Sequence, residues 1–402
     1  MTLPPTGPLA GIRVLEVGNY VAGPYGGALL ADLGAEVIKI ENPEGGDPFR
    51  GWQRGDAEPT AFWAYNRGKK SVTLNLRDPA GRDVLRRLML SADVVLENMR
   101  PGVMDRLGVG YEQLREANPR LVYCSVTGFG LRGPYVERPA YDGIGQALSG
   151  LVSLLTDVSA PRAIGPNFAD SLAGVFAAYG VLGALVARER TGRGQRVATS
   201  LVGATLAFLV EPATDALLGN PPKGPRSRPV ASQTYAWTAG DGLPFTIHLS
   251  SPAKFWQGLA RAVGRPELID DPRYRTQADR RAHYDELHAE LAAIFAGRTR
   301  AEWLDTLTAQ DVPCAPIYNM REVFEDPQIK GMGLEVTLAG GDRPPIKTVG
   351  CPVEYSDTPA VVSIPPPGLG EHTEAVLAEA GYDDESIRAL RDQGVLSPPG
   401  GA

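Results

Sequence analysis

A chain of 402 residues is too long for a single small module and, at roughly 150 residues per domain, fits two domains or one large elaborated one. With 43% hydrophobic and 22% charged residues it can bury a sizeable core, which excludes a disordered polymer. Lys and Arg number 40 against 47 Asp and Glu, a formal charge of −7 with no basic block, so nucleic acid is not an expected partner.

The first 45 residues carry a strand, turn, helix, strand pattern: RVLEV at 13–17, small and apolar residues at 21–33, and EVIKI at 36–40. Such a βαβ unit with glycines in its turn offers backbone N–H groups to an anion. Gly18, Gly23, Gly26 and Gly27 do not make GxGxxG, although Glu41 sits where a dinucleotide fold often keeps its ribose-binding acid. An NAD-dependent oxidoreductase is therefore one open reading.

Further strands are expected at 71–76, 94–96 and 121–126 and a helix at 79–91, which gives alternating βα units and hence an α/β fold with a doubly wound parallel sheet. From Leu172, apolar residues recur at three and four positions through Leu182, so a helix should run to about 188–192. The apolar stretch 171–187 falls short of the roughly 20 residues of a membrane crossing and reads as a buried helix, with no membrane partner expected.

The segment 219–230 (GNPPKGPRSRPV) reads as a linker. The expected organisation is a first part of the large domain at 1–218 and a small α+β domain at 231–325. A return linker at 326–350 and a C-terminal part at 351–402, completing the large domain, follow. Within the small domain, strands at 233–247 flank a turn at 239–242, and helices are expected at 253–263, 278–296 and 300–309. The tail should carry helices at 371–380 and 384–392.

Cys124, Cys314 and Cys351 are odd in number and never CxxC, so neither disulfides nor a zinc site is suggested and a reducing cytoplasm is the expected location. No cationic segment followed by an apolar stretch opens the chain, so no secretory signal is expected. The four histidines, His248, His283, His288 and His372, form no metal motif, and no resident metal is expected. GxSxG is absent. Asp170, just before the long apolar run, fits a helix N-cap, and it also fits catalysis, because the positive helix end should hold it ionised, the form that attacks an acyl group. Arg67, Lys69, Lys70, Arg77, Arg100 and Arg106 stand near predicted strand ends, where they could pair with phosphates or lie as solvated surface charge.

Several phrases in order, LAGIRVLEVGNYVAGPYGGALLADLGAEVIKIE, YNRGKKSVTLNL, ENMRPGVMDRLGVGY, YDGIGQALSG, DSLAGVFAAYGVLGALVARERTGRGQRVATSL and GLGEHTEAVLAEAGY, resemble the class III CoA-transferases. The resemblance implies a Rossmann-like large domain with an inserted smaller one, an interlocked homodimer, an acyl-CoA donor, a free carboxylic acid acceptor, and no permanently bound cofactor, coenzyme A being part of the substrate. It puts the nucleophile on Asp170, which would form an aspartyl anhydride and then an aspartyl-CoA thioester. It puts CoA contacts on Val21, Ala22, Asn42, Leu74, Asn75, Leu76, Arg77, Asn98, Met99, Arg100, Arg106, Pro139, Ala140, Tyr141 and Asp142, with Arg77 and Arg106 foremost at the phosphates.

Two positions depart from the formyl-CoA:oxalate enzymes: Asn42 replaces an arginine and Val21 replaces a gating glutamine. Racemases acting on 2-methylacyl-CoA share the fold, but their base is a histidine where this chain has Tyr141, and a tyrosine of pKa near 10 is a poor base at neutral pH. Succinyl-CoA is the expected donor and a small carboxylic or dicarboxylic acid the acceptor. Arg228, Gln233, Tyr235 and His248 are possible substrate contacts from the small domain.

Overall fold

The computed structural model describes residues 7–52, 59–250, 252–340, 344–360 and 362–397. The first six residues of the leader reading and the last five of the tail lie outside them. Chain contacts divide the protein into two compact units, one of residues 1–152, 163–218 and 333–402, the other of residues 153–162 and 219–332.

The first unit is built on six parallel strands: β1 (Arg13–Val17), β2 (Glu36–Glu41), β3 (Lys69–Thr73), β4 (Val94–Glu97), β5 (Val122–Thr127) and β6 (Arg196–Ser200), in the spatial order β3-β2-β1-β4-β5-β6. β1 pairs with both β2 and β4, so strand order reverses there, and ligands of such sheets bind beyond the carboxyl ends of the strands at that point. The helices that bear on the site are α1 (Ala22–Asp32), α2 (Pro79–Leu90), α3 (Asp142–Leu148), α4 (Phe168–Thr191), α5 (Leu201–Phe208) and α6 (Val210–Leu217). Alternate strand residues feed two cores. Val14, Val37, Val94, Leu96, Val122 and Cys124 pack with Leu30 of α1 and Ala173, Ala177 and Val181 of α4. Leu15, Ile38, Val72, Val95 and Tyr123 face Val84, Leu85 and Leu88 of α2 with Val376, Leu377 and Ile387 of the C-terminal helices Thr373–Glu379 and Asp384–Asp392.

The second unit holds a three-stranded antiparallel sheet, β7 (Thr234–Thr238), β8 (Pro244–His248) and β9 (Cys314–Pro316). Trp237, Phe245, Trp256, Leu291, Phe295 and Trp303 fill its core beside the helices Ala253–Ala262, Tyr284–Phe295 and Arg300–Ala309.

Three expectations are corrected. The strand expected at 71–76 runs Lys69–Thr73, because β2 ends at Glu41, the partner of Thr73, and beyond Leu74 the chain turns to the C-terminal segment, where the Asn75 N–H donates to the Val395 carbonyl at 2.8 Å. The single helix expected at 278–296 is two, Gln277–Ala282 and Tyr284–Phe295, parted where His283 leaves helical geometry at φ −105° and ψ 29°. The stretch 171–187 is buried on one face only, since Val175, Tyr179 and Val186 of α4 are exposed.

Candidate active site

β1 delivers the chain into residues 18–21 and then α1, while β4 delivers it into 98–101. Asn98 ties the two turns together: its side-chain Oδ1 accepts from the Asn19 N–H at 3.0 Å and its Nδ2 donates to the Asn19 carbonyl at 2.9 Å. Gly18 and Gly23 are glycines because a Cβ would come 2.8 and 3.0 Å from the Asn98 side chain. Tyr20, between them, holds a left-handed φ of 65°, a conformation a tyrosine keeps only where its surroundings enforce it.

Asp170 reaches the same place from α4. α1 and α4 approach closely because both are glycines at the crossing: a Cβ on Gly174 would lie 2.9 Å from the Ala22 carbonyl oxygen and 3.1 Å from the Gly26 nitrogen. Asp170, one turn before Gly174, therefore opens beside the first residues of α1. Asn19, Tyr20, Val21, Ala22, Asn98, Met99, Arg100, Thr127, Gly128, Arg138, Pro139, Ala140, Tyr141, Asp170 and Leu201 are among the walls of a cleft of about 230 Å³.

Asp170 is not the N-cap expected from its position. α4 begins at Phe168, so Asp170 lies in the first turn, and the capping acceptor comes from elsewhere in the chain. Asp142, at the start of α3, accepts from the Ala169 N–H at 2.9 Å and the Asp170 N–H at 3.2 Å. Gln146 donates to the other oxygen of Asp142 and, at 3.1 Å, to the Pro166 carbonyl. Nor is Asp170 held firmly ionised by the helix end. Burial, followed by the charge of Asp142, pushes its carboxyl up to about 7. A carboxyl group that is half protonated near neutrality, in a cleft, is a candidate for chemistry.

The structure brings Val21, Ala22, Asn98, Met99, Arg100, Pro139, Ala140 and Tyr141 to this cleft with Asp170. Asp142 stands behind Asp170 as its helix cap. Asn42, Leu74, Asn75, Leu76, Arg77 and Arg106 follow β2, β3 and β4 along the same sheet edge but are not among the cleft walls. Asn42 accepts from the Glu44 N–H at 3.1 Å, Asn75 from the Arg77 N–H at 3.1 Å, and Leu74 is buried in the core, whereas Arg77 and Arg106 project into solvent.

Of the other basic residues near strand ends, three are corrected to structural partners. Arg67 forks onto Asp32 at 3.1 and 2.6 Å, Lys69 pairs with Glu16 at 2.7 Å, and Lys70 pairs with Glu36 at 2.5 Å. Glu41, placed where a ribose-binding acid could sit, is buried and taken by Arg50 at 2.8 and 2.7 Å and by Ser71 at 2.6 Å. Among the described residues, no group of three or more His, Cys, Asp or Glu could hold a metal. In the second unit Gln233 and Tyr235 are interior: Gln233 donates to the Ser250 carbonyl at 2.8 Å, and Tyr235 stacks on Tyr284 at 4.3 Å. His248 meets Thr234 at 3.2 Å.

Sequence reasoning missed Tyr20, Thr127, Arg138 and Leu201 in the cleft, and Glu97 behind it. Glu97 accepts from the Met99 N–H at 2.8 Å, and burial pushes its carboxyl up to about 7. The signal for it was a carboxylate ending the apolar run VVLE.

A six-stranded parallel sheet with a cleft beyond the carboxyl ends of β1 and β4, into which the Asp170 carboxyl opens, is the arrangement in which α/β folds hold a ligand. Residues 9–373 match CoA-transferase family III, and the chain belongs to that family. It is similar to the succinate–glutarate CoA-transferase of Agrobacterium fabrum, with 36% identity over 92% of this chain and 95% of the relative. The formyl-CoA:oxalate CoA-transferase of Streptomyces avermitilis is 34% identical over 96% of this chain and 99% of its own length. A crystal structure of a CaiB/BaiF family protein from Brucella suis superposes with a TM-score of 0.83 at 35% identity, covering 93% of this chain and all of that one. The chain is thus a transferase of this family, whose members take a CoA thioester as donor and an acid as acceptor.

Proposed function

We propose that this enzyme moves CoA from an acyl-CoA to a free carboxylic acid with Asp170 as the nucleophile. The observation that carries the reading is the meeting of the Asp170 carboxyl with the first turn of α1 in one cleft, where no side chain among the described residues caps α1. The first N–H groups of a helix have no partner within it, so Val21 and Ala22 offer donors to an oxyanion beside the attacking carboxylate. Each such donor is worth about 3 to 4 kcal/mol to a transition state.

The steps balance without an outside reactant. An oxygen of ionised Asp170 attacks the thioester carbonyl, CoA leaves as thiolate, and an acyl-aspartyl anhydride forms. The thiolate attacks the aspartyl carbonyl, releases the donor acid with the bridging oxygen, and leaves an aspartyl-CoA thioester. The acceptor carboxylate displaces the thiolate from that carbonyl, giving a second anhydride. Attack of the thiolate on the acceptor carbonyl then frees acyl-CoA and restores Asp170. Val21 and Ala22 flank the thioester in this reading. Leu74, Asn75, Leu76, Arg77, Asn98, Met99, Arg100 and Arg106 follow the nucleotide end along the sheet edge. Arg100 and Arg138, exposed on the cleft, suit an anionic substrate.

Succinyl-CoA is the proposed donor and a small dicarboxylic acid the proposed acceptor, a choice supported by the substrates in the names of similar enzymes. The working form is proposed to be an interlocked homodimer. With an acceptor labelled in both carboxyl oxygens by oxygen-18, the second anhydride leaves its bridging oxygen on the enzyme. A single turnover should therefore place one label in the peptide carrying Asp170, repeated turnover should bring it to two, and Asp170→Ala should lose transfer. Transfer that proceeds at the wild-type rate in Asp170→Ala, or label that never enters that peptide, would overturn the mechanism.

A further inference from the structure

Strands β1 and β2, buried on both faces, each carry a charged residue in an apolar run: Glu16 in RVLEV and Lys39 in EVIKIE. With Asp47 and Lys69 they form a cluster beneath the turn that leads from β1 into α1, and all four are at most 1% exposed. Glu16 bridges the two lysines, with Lys39 Nζ at 3.0 Å and Lys69 Nζ at 2.7 Å, and Asp47 closes on Lys39 at 2.9 Å. α1 is shaped to admit the cluster, since a Cβ on Gly27 would overlap Glu16 Oε2.

Three of the four also grip the backbone of the turn, and Glu16 holds the two lysines that do so. Lys39 donates to the Gly18 carbonyl at 2.7 Å, Asp47 accepts from the Tyr20 N–H at 3.3 Å, and Lys69 donates to the Pro24 carbonyl at 2.7 Å. Asn66 adds a second acceptor to Lys69 at 2.9 Å. Both ends of residues 18–24 are thereby drawn down, and Tyr20 is held in its left-handed conformation. The N–H groups of Val21, Ala22 and Gly23 find no acceptor among the described residues. A buried ion cluster rarely stabilises more than an apolar core of the same shape would, so its use here is sought in what it positions.

We infer that Glu16, Lys39, Asp47 and Lys69 are positioning residues that fix the β1–α1 turn so that its free N–H groups stand beside Asp170. The inference rests on the CoA-transfer reading for its kinetic consequence and on geometry alone for its structural one. None of the four lines the cleft, so their loss should act on the chemical step rather than on substrate affinity.

The test uses Asp47→Ala and the charge-balanced pair Glu16→Gln with Lys69→Met in the full-length enzyme. In folded protein, kcat should fall by about 30-fold or more while the acyl-CoA KM stays within about threefold. Backbone amide exchange over residues 18–24 should rise by about tenfold, with that of α2 unchanged. Unchanged kcat, or unchanged exchange over 18–24, would overturn the inference, as would failure of both variants to fold by circular dichroism, which would make the cluster a determinant of the fold instead. If wild-type enzyme transfers no CoA from any donor, the functional reading fails, and the exchange result still decides whether the cluster holds the turn.

Discussion

The positive end of α4 favours a charged Asp170, burial and the Asp142 carboxylate oppose it, and the opposition wins, leaving the group half protonated near pH 7. This has a consequence for stability with a definite sign. Because the folded value lies above the ordinary 3.8, the folded chain binds the proton more tightly than the unfolded one. The group's contribution is complete below about pH 4 and is lost as pH rises through about 7. Asp170→Asn, which keeps the shape and cannot ionise, should therefore be more stable than wild type at pH 8 by on the order of 4 kcal/mol, with the difference shrinking to about half that at pH 5. Urea unfolding at the two pH values measures it, and an Asn variant no more stable than wild type at pH 8 would show that the carboxylate is comfortably solvated in the fold. Glutamine at 146 bears on the same balance by occupying one oxygen of Asp142, so that carboxylate remains pointed at the helix end.

At the level of elements, the site depends on how closely α1 and α4 cross. Alanine at Gly174 would push its methyl against the Ala22 carbonyl oxygen and the Tyr25 side chain. The gain in helix propensity, up to about 1 kcal/mol, is outweighed by overpacking of about 1 to 3 kcal/mol. Gly174→Ala should thus lower the unfolding midpoint in denaturant and slow transfer by moving Ala22 away from Asp170. A variant as stable and as active as wild type would mean that the crossing has slack. Much of this architecture is legible in the sequence: β1, α1, β2, α2 and β4 lie within a few residues of their expected places because apolar alternation and capping residues such as Asp78 act locally. The N-terminus of α4 is not, since its cap is supplied by Asp142, 28 residues earlier, and no local pattern announces an acceptor brought in by the fold. Lys69 likewise reads as a surface charge, and only the register that sets it beneath α1 shows it to be interior. Glu16 and Lys39 did carry a signal, as opposite charges inside strands that pair side by side.

For the whole molecule, large apolar side chains are exposed in both units, and several of them fall on three consecutive helices. Val175, Tyr179 and Val186 lie along α4, Leu206 and Phe208 on α5, and Val210 and Leu217 on α6, with Tyr179 72% and Leu217 88% exposed. Where exposed apolar side chains join into a patch of several hundred Å², they mark an interaction face. α4 is long and apolar enough to cross a membrane, yet its other face packs on α1 and the sheet, and the homodimer proposed above would cover the exposed one. An interlocked pair has a kinetic signature that an ordinary dimer lacks: two threaded rings cannot part unless one chain unfolds. The protein should sediment at twice the 42.8 kDa chain mass even at nanomolar concentration. Tagged and untagged dimers, mixed in native buffer, should form no hybrid over days and should do so readily after unfolding and refolding together. A species of 42.8 kDa in native buffer would remove the dimer, and hybrids appearing within hours would leave a dimer whose chains are not interlocked.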